Sequence, residues 1–167
     1  IDNGSTSTLN SFEEDELASK LINLHRGMES VRFAKTGGEA CAIAVRIARA
    51  YTKRSIIIAS GYFGWHDWYL ASNLKAKGSL DKLLLPGLEP RGVPKELAGT
   101  TVTVNYGNTE QLKKIFKKYK NKIAAFIVEP QRNRYVDKVF LKTARNLTKK
   151  YNSVLIFDEV SSGFRLK

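Results

Sequence analysis

Four short stretches of the chain carry side chains suited to chemistry, and each directly follows a run that reads as a β-strand. Two of them are acidic: Glu129-Pro130-Gln131 comes after the apolar run ending at Val128, and Asp158-Glu159-Val160 after the run ending at Phe157. A carboxylate at the end of a buried strand is costly to desolvate unless a positive or hydrogen-bonding group meets it. A protonated ring nitrogen is one such group, whereas capping a helix or pairing with Arg32 or Arg165 would satisfy either acid singly. The third stretch, Thr36-Gly37-Gly38, sits at the mouth of a helix, where free backbone amides and the positive helix end favour a phosphate. Taken alone, it is equally a tight strand-to-helix turn. The fourth runs from Gly61 to Tyr69 and holds five aromatics in nine residues. It offers either a flat face for a planar ligand or a local cluster closing the sheet edge, and its glycines, which permit close backbone approach, favour the ligand. Taken together, the four stretches describe a pocket for a phosphorylated, positively charged aromatic ring.

Other chemistries fit the residues less well. No Gly-Lys-Ser/Thr follows the glycine turn and no G-x-G-x-x-G pattern is present, so neither nucleotide-binding fingerprint applies. His66-Asp67 looks like part of a catalytic relay, but there is no G-x-S-x-G nucleophile elbow, and the second histidine, His25, lies on the first helix. Two histidines and one cysteine are too few for a zinc site.

The elements that must position these groups alternate in type. Ser11-Phe12-Glu13-Glu14 has the order of a capping box and opens a helix with Leu17, Leu21 and Leu24 on one face, ending near Gly27. Val31 to Ala34 reads as a short strand. The following helix carries Ala40, Ile43, Ala44, Ile47, Ala48 and Tyr51 at steps of three and four. Ile56 to Ala59 is a β-branched run of the kind buried on both faces of a parallel sheet. Residues 73–99 lose period and contain Gly78, Pro86, Gly87, Pro90, Gly92 and Pro94, which reads as a long loop with short turns. Strands at 101–104, 123–128 and 154–158 then alternate with helices capped by Asn108 and spanning 137–151. The alternation predicts an α/β fold with right-handed βαβ crossovers and a mainly parallel sheet.

Composition sets outer bounds. With 167 residues, 43% hydrophobic and 26% charged, the chain is ordinary globular material. Its longest apolar runs, such as Val154 to Phe157, fall far short of the roughly 20 residues of a membrane span. One cysteine, Cys41, permits no internal disulfide, and the polar start is no secretory signal, which together point to a reducing cytoplasm. The net charge of +12 raises nucleic acid as a partner, concentrated in Lys113 to Lys122. There Leu112, Ile115, Phe116 and Tyr119 recur at helical spacing with lysines between them, so the run reads as an amphipathic helix with a solvated basic face rather than a nucleic-acid surface. The chain starts without Met and stops just after a strand-like run, so both ends are read as cut.

Three motifs carry a family resemblance. Thr36-Gly37-Gly38-Glu39-Ala40 resembles an S-G-T-E-A turn, Tyr62-Phe63-Gly64-Trp65 a Y-H-G-W loop, and Phe157 to Arg165 an F-D-E-V-x-T-G-F-R strand end, with Val128-Glu129-Pro130 in order between them. These are motifs of class III pyridoxal-phosphate-dependent aminotransferases, and the glutamate-1-semialdehyde aminomutase branch is the nearest subgroup. The resemblance implies that residues 1–167 are a partial large domain of the fold-type I transferases, with pyridoxal 5'-phosphate as cofactor. It implies a small-molecule amino donor and carbonyl acceptor, a homodimer when full length, and no membrane association. By position, Thr36, Gly37 and Gly38 would hold the phosphate, Tyr62 and Val160 would flank the ring, and Asp158 would pair with the ring nitrogen. Glu129 and Asn133 would lie near the ring, with Phe63 beside Tyr62 in the same loop, and Arg165 would brace the fold. Gly38 stands where the pattern has Thr, and Phe63 where it has His. The family's Schiff-base lysine falls downstream of Lys167, so the chain alone is expected not to transaminate. The alternatives are an aminomutase and, from another class, a truncated binding module without chemistry.

Overall fold

A computed structural model describes residues 11–81, 83, 86–131 and 137–165. They divide into two compact units, Ile1–Ala34 and Lys35–Lys167. In the first, helix α1 spans Phe12–Leu24 and has three acids in its first turn, Glu13, Glu14 and Asp15, which suit the positive helix end. The expected capping box is not formed: Ser11 makes no side-chain cap bond, and the Glu14 amide bonds to the Ser11 carbonyl instead, at 3.1 Å. Nor is there a strand at Val31 to Ala34, which has no ladder hydrogen bonds. Four residues, with Phe33 39% exposed, have the composition of a strand but no ladder to join, and strand preference is mostly such context.

The second unit is a four-stranded parallel sheet with helices on both faces. Its strands are β1 (Ile56–Ser60), β2 (Thr101–Thr103), β3 (Ile123–Val128) and β4 (Val154–Phe157), in the spatial order β2-β1-β3-β4. All three pairings are parallel. Every residue of β3 is buried, as a central strand covered on both faces requires. The pleat sends Ile57, Ala59, Ala125 and Ile127 into one apolar cluster and Ile58, Phe126 and Val128 into the other.

Helix α2 (Gly37–Thr52) covers the first face and packs against β3 and β4. Its buried stripe is Cys41, Val45 and Ala48, whereas Ile47 is 58% exposed and Tyr51 82% exposed. The stripe expected from sequence is therefore rotated. The helix is apolar most of the way round, so spacing alone leaves the facing side undetermined, and small side chains win the sheet contact because they let the helix approach closely.

Short helices α3 (Asp67–Leu70) and α4 (Ser72–Lys75) follow β1. Beyond them the described part of 73–99 is tied down rather than free. Asn73 donates from Nδ2 to the Leu88 carbonyl at 2.5 Å and accepts from the Leu80 amide at 3.2 Å, and Leu80 and Val93 are buried.

Helices α5 (Thr109–Tyr119) and α6 (Lys138–Lys150) cover the other face. Leu112, Ile115 and Phe116 are buried, and Lys113, Lys114, Lys117 and Lys118 point to solvent, as the spacing predicts. Asn108 and Asp137 cap the two helices, accepting from the amides of Gln111 and Phe140. No described helix is long and apolar enough to cross a membrane.

Arg54 holds the far edge of this unit together. Its Nη1 donates to the carbonyls of Ile123 at 3.2 Å, Tyr151 at 2.7 Å and Asn152 at 3.0 Å, joining the start of β3 to the end of α6. Removing a charged donor from such acceptors costs about 1.5–3 kcal/mol. Arg54→Ala should therefore lower unfolding stability by about that amount in a denaturant titration, and an unchanged midpoint would deny it this role.

Candidate functional site

Parallel strands deliver their carboxyl ends to one edge, and there the four expected stretches converge. Gly61 follows β1, Glu129 follows β3, and Asp158 follows β4. Two hydrogen bonds extend the ladder one residue past the strands: the Glu129 amide donates to the Ser60 carbonyl at 3.2 Å, and the Asp158 amide to the Val128 carbonyl at 2.9 Å. Both acids are thereby placed by sheet pairing, not by loop conformation. A cavity of about 170 Å³ opens above them, lined by Gly37, Tyr62, Phe63, Gly64, Glu129, Asp158, Val160 and Ser161.

Each acid is oriented by neighbours. Asp158 Oδ1 accepts from the Val160 amide at 2.9 Å, and Oδ2 lies 3.4 Å from the Cys41 Sγ of helix α2, which donates to it. Burial, then the charge of Asp158, the hydrogen bond to it and the charge of Glu129 push the Cys41 thiol well above the ordinary thiol range. The thiol thus stays protonated and acts as a donor. Glu129 Oε2 accepts from the Tyr62 amide at 3.1 Å, which ties the β1 loop to the end of β3. Tyr106, which no sequence motif singles out, donates from its hydroxyl to the Pro130 carbonyl at 2.7 Å and accepts from the Asp137 amide at 3.1 Å. It fixes both ends of the stretch leaving Glu129, and a lone tyrosine after β2 carries no pattern that could announce this.

The glycine turn has the geometry of an anion cradle. Thr36 and Glu39 form a full capping box: Thr36 Oγ1 accepts from the Glu39 amide at 3.2 Å, while Glu39 Oε2 accepts from the amides of Thr36 at 3.0 Å and Lys35 at 2.9 Å. The box leaves the Gly37 and Gly38 amides at the head of α2 without an intrahelical acceptor. A Cβ on Gly37 would stand 3.0 Å from Val160 Cγ2, so the turn and the Asp158 strand end approach as closely as glycine allows. Thr36 and Gly38 sit in this turn but do not themselves line the cavity.

The aromatic loop divides in two. Tyr62 lines the cavity, with an edge-on contact to Tyr69 at 6.1 Å between ring centroids. Phe63 touches the cavity but is buried in the core, stacked on Trp68 at 6.1 Å and edge-on to Tyr69 at 5.7 Å. Trp65 is 76% exposed. The flat face available to a ligand is therefore Tyr62, and the other rings hold its loop in place. Asn133 lies outside the described residues. Arg165 makes a backbone bond to Ser162 at 3.4 Å and is not among the lining residues. Among the described residues no group of three His, Cys, Asp or Glu could hold a metal ion.

The model of the family described as Aminotransferase class-III matches residues 3–165, and the chain belongs to that family. It is 39% identical over 159 residues to a glutamate-1-semialdehyde 2,1-aminomutase of Sulfurihydrogenibium sp. strain YO3AOP1, covering 92% of this chain and 36% of that protein. A glutamate-1-semialdehyde 2,1-aminomutase 1 of Listeria welshimeri is 42% identical over the same coverage. Among solved structures, a transaminase with PLP bound superposes with a TM-score of 0.81 at 25% identity, over 96% of this chain and 38% of that one. An omega-transaminase from Sphaerobacter thermophilus gives 0.78 at 26% identity, with the same coverage. The chain thus spans little more than a third of the length of these relatives.

The packing around the acids is open to test at two positions. Gly61 has φ +142°, and a Cβ there would meet Glu129 Oε2 at 2.7 Å and Phe63 Cζ at 3.0 Å. Gly61→Ala should cost about 1–3 kcal/mol in unfolding stability, the scale of one strained residue; a neutral result would mean that Glu129 is not held as described. For Cys41 the folded state retains a proton that the unfolded state releases above the thiol's ordinary 9.0. Stability is then fully present below pH 9.0 and declines as pH rises beyond it. Melting temperatures of the parent should fall more steeply than those of Cys41→Ala above that pH, and parallel curves would contradict a protonated, buried thiol.

Proposed function

We propose that this chain is the cofactor-cradling part of a pyridoxal 5'-phosphate-dependent aminotransferase that moves an amino group from a small-molecule donor to a carbonyl acceptor. The observation that carries the proposal is the placement of Asp158, Glu129, Tyr62 and the Gly37 turn around one cavity at the carboxyl edge of a parallel sheet. The residues fit the cofactor on three counts. The head of α2 offers unpaired amides to a phosphate, the Gly37 position admits close approach, and a buried carboxylate stands ready for a cationic nitrogen.

When bound, the cofactor supplies an aldehyde that captures a substrate amine and a ring that draws electrons from the substrate α-carbon. The chain's own residues do the rest. Asp158, fixed by the Cys41 thiol and the Val160 amide, would hold the ring nitrogen and favour its protonated form. Tyr62 and Val160, which both line the cavity, would flank the ring. Thr36, Gly37 and Gly38 hold the phosphate. Glu129, held by the Tyr62 amide, lies toward the substrate amine, and Phe63 backs the ring-facing loop from the core. Asn133 is assigned to the same wall by its motif position alone.

Among the described residues no lysine lines the cavity. From the family resemblance, the lysine that would hold the cofactor is assigned to a part of the protein beyond residues 1–167, in keeping with the chain's share of its relatives' length. The intact protein is assigned as a homodimer working in the cytoplasm.

A second reading, an aminomutase that moves the amino group within one substrate, is favoured by the relatives at 39% and 42% identity. The intact protein distinguishes the two: an aminotransferase requires two substrates, whereas an aminomutase turns over a single amino aldehyde. Under either reading Asp158→Asn should keep the fold and lower kcat by about 100- to 1,000-fold, the cost of removing one preorganised electrostatic partner. Full activity in that variant would reject the role of Asp158, and a parent protein that binds cofactor but converts no amine would favour a non-catalytic binding module.

A further inference from the structure

The acid at the end of β4 is held from two sides by groups of different origin. Asp158 Oδ1 accepts from the Val160 amide at 2.9 Å, a local bond from two residues further along the same turn. Oδ2 accepts from the Cys41 thiol at 3.4 Å, from helix α2 and 117 residues away in sequence. The local bond alone leaves the carboxylate able to turn, because rotation between a tetrahedral and a planar carbon has only broad preferences. A second donor on the other oxygen, carried by a packed helix, removes that freedom.

Cys41 acts this way because of where the helix puts it. It is buried in the stripe of Cys41, Val45 and Ala48 that faces the sheet. Asp158 lines the cavity and Cys41 does not, so the thiol reaches the carboxylate from the protein side and leaves the cavity side open. Burial, with the charges of Asp158 and Glu129, keeps the thiol protonated and therefore a donor. A carboxylate offers about four lone-pair sites, so Asp158 keeps acceptor capacity toward the cavity after both bonds are made. The other titratable groups lining that cavity are Tyr62 and Glu129, from the loop after β1 and the end of β3.

We infer that Cys41 is a positioning residue for the cofactor ring: by fixing the rotation of the Asp158 carboxylate, it sets how firmly the ring nitrogen holds its proton. This rests on the pyridoxal 5'-phosphate reading above and extends it to a side chain that lies outside the cavity. No bond is made or broken at sulfur, and the thiol keeps its own proton throughout. The requirement is for a donor small enough to leave α2 on the sheet. A side chain that fills the same space without a donor hydrogen would preserve the packing and lose the effect.

The test is a set of calorimetric titrations of the intact protein with pyridoxal 5'-phosphate and, in parallel, with its deaza analogue, in which carbon replaces the ring nitrogen. Cys41→Ala and Cys41→Val both lose the donor, the second keeping the space filled. Each should weaken pyridoxal 5'-phosphate binding about 3- to 10-fold, the range of one net hydrogen bond, and leave the analogue within about 2-fold. Cys41→Ser, which keeps a donor of similar size, should bind both ligands as the parent does. Nuclear magnetic resonance of an isotope-labelled ring nitrogen reads the proton directly: it should persist to higher pH in the parent and in Cys41→Ser than in Cys41→Ala. Equal weakening of both ligands by the alanine and valine variants would show a packing role only and overturn the inference, as would an unchanged affinity or an unchanged nitrogen signal. If neither of those variants folds, Cys41→Ser decides, and a ring nitrogen that loses its proton at lower pH there than in the parent would also overturn it. A parent protein that binds neither ligand would instead defeat the cofactor reading itself.

Discussion

The site depends on β3. Because that strand is buried along its whole length and paired on both sides, the residues just past β3 and β4 inherit their positions from the sheet. The bonds from Glu129 to Ser60 and from Asp158 to Val128 continue its ladders by one rung on each side, and these two rungs carry the acids. A loop would have placed carboxylates within a range of positions. A sheet places them with the rigidity of its core, which is what a group meant to hold a proton on a bound ring requires.

Around the acids, space is managed by leaving side chains out. Gly37 meets Val160, Gly38 meets His66 and Gly64, and Gly61 meets Glu129 and Phe63, each at separations where a Cβ would collide. Three segments distant in sequence, the head of α2, the loop after β1 and the end of β4, are thus brought into close contact over one cavity. Cys41 belongs to the same economy: a small, buried donor on α2 reaches Asp158 where a bulkier residue would push the helix off the sheet.

Much of this is legible in the sequence, and the parts that are not share a physical reason. The strands β1, β3 and β4 are short apolar runs bounded by polar residues, and α5 and α6 are strongly two-sided, so their pattern determines both type and orientation. Asp158, Glu129 and Tyr62 are recognisable because each comes soon after a strand, and a parallel topology gathers the carboxyl ends of its strands at one edge. Gly37 is recognisable from its place at the mouth of a helix. Helix α2 misleads because almost every side of it is apolar, and only the sheet decides that Cys41, Val45 and Ala48 face inward while Ile47 and Tyr51 do not. A capping box is expected at Ser11 and Glu14 but forms at Thr36 and Glu39, two sites with the same local spacing. Phe63 reads in sequence as a ligand contact, and its burial against Trp68 and Tyr69 shows it to be mainly core, a difference that nine residues of aromatic sequence cannot express. His66 reads as an incomplete relay, since its relation to Gly38 exists only in three dimensions.

The most direct measurement of the central claim is a crystal structure of the intact protein with pyridoxal 5'-phosphate. The expected result is a ring between Tyr62 and Val160, its nitrogen facing the Asp158 carboxylate and its phosphate at the head of α2. A cofactor bound elsewhere, or one whose ring nitrogen faces away while Asp158 remains satisfied by Cys41 and Val160 alone, would contradict it.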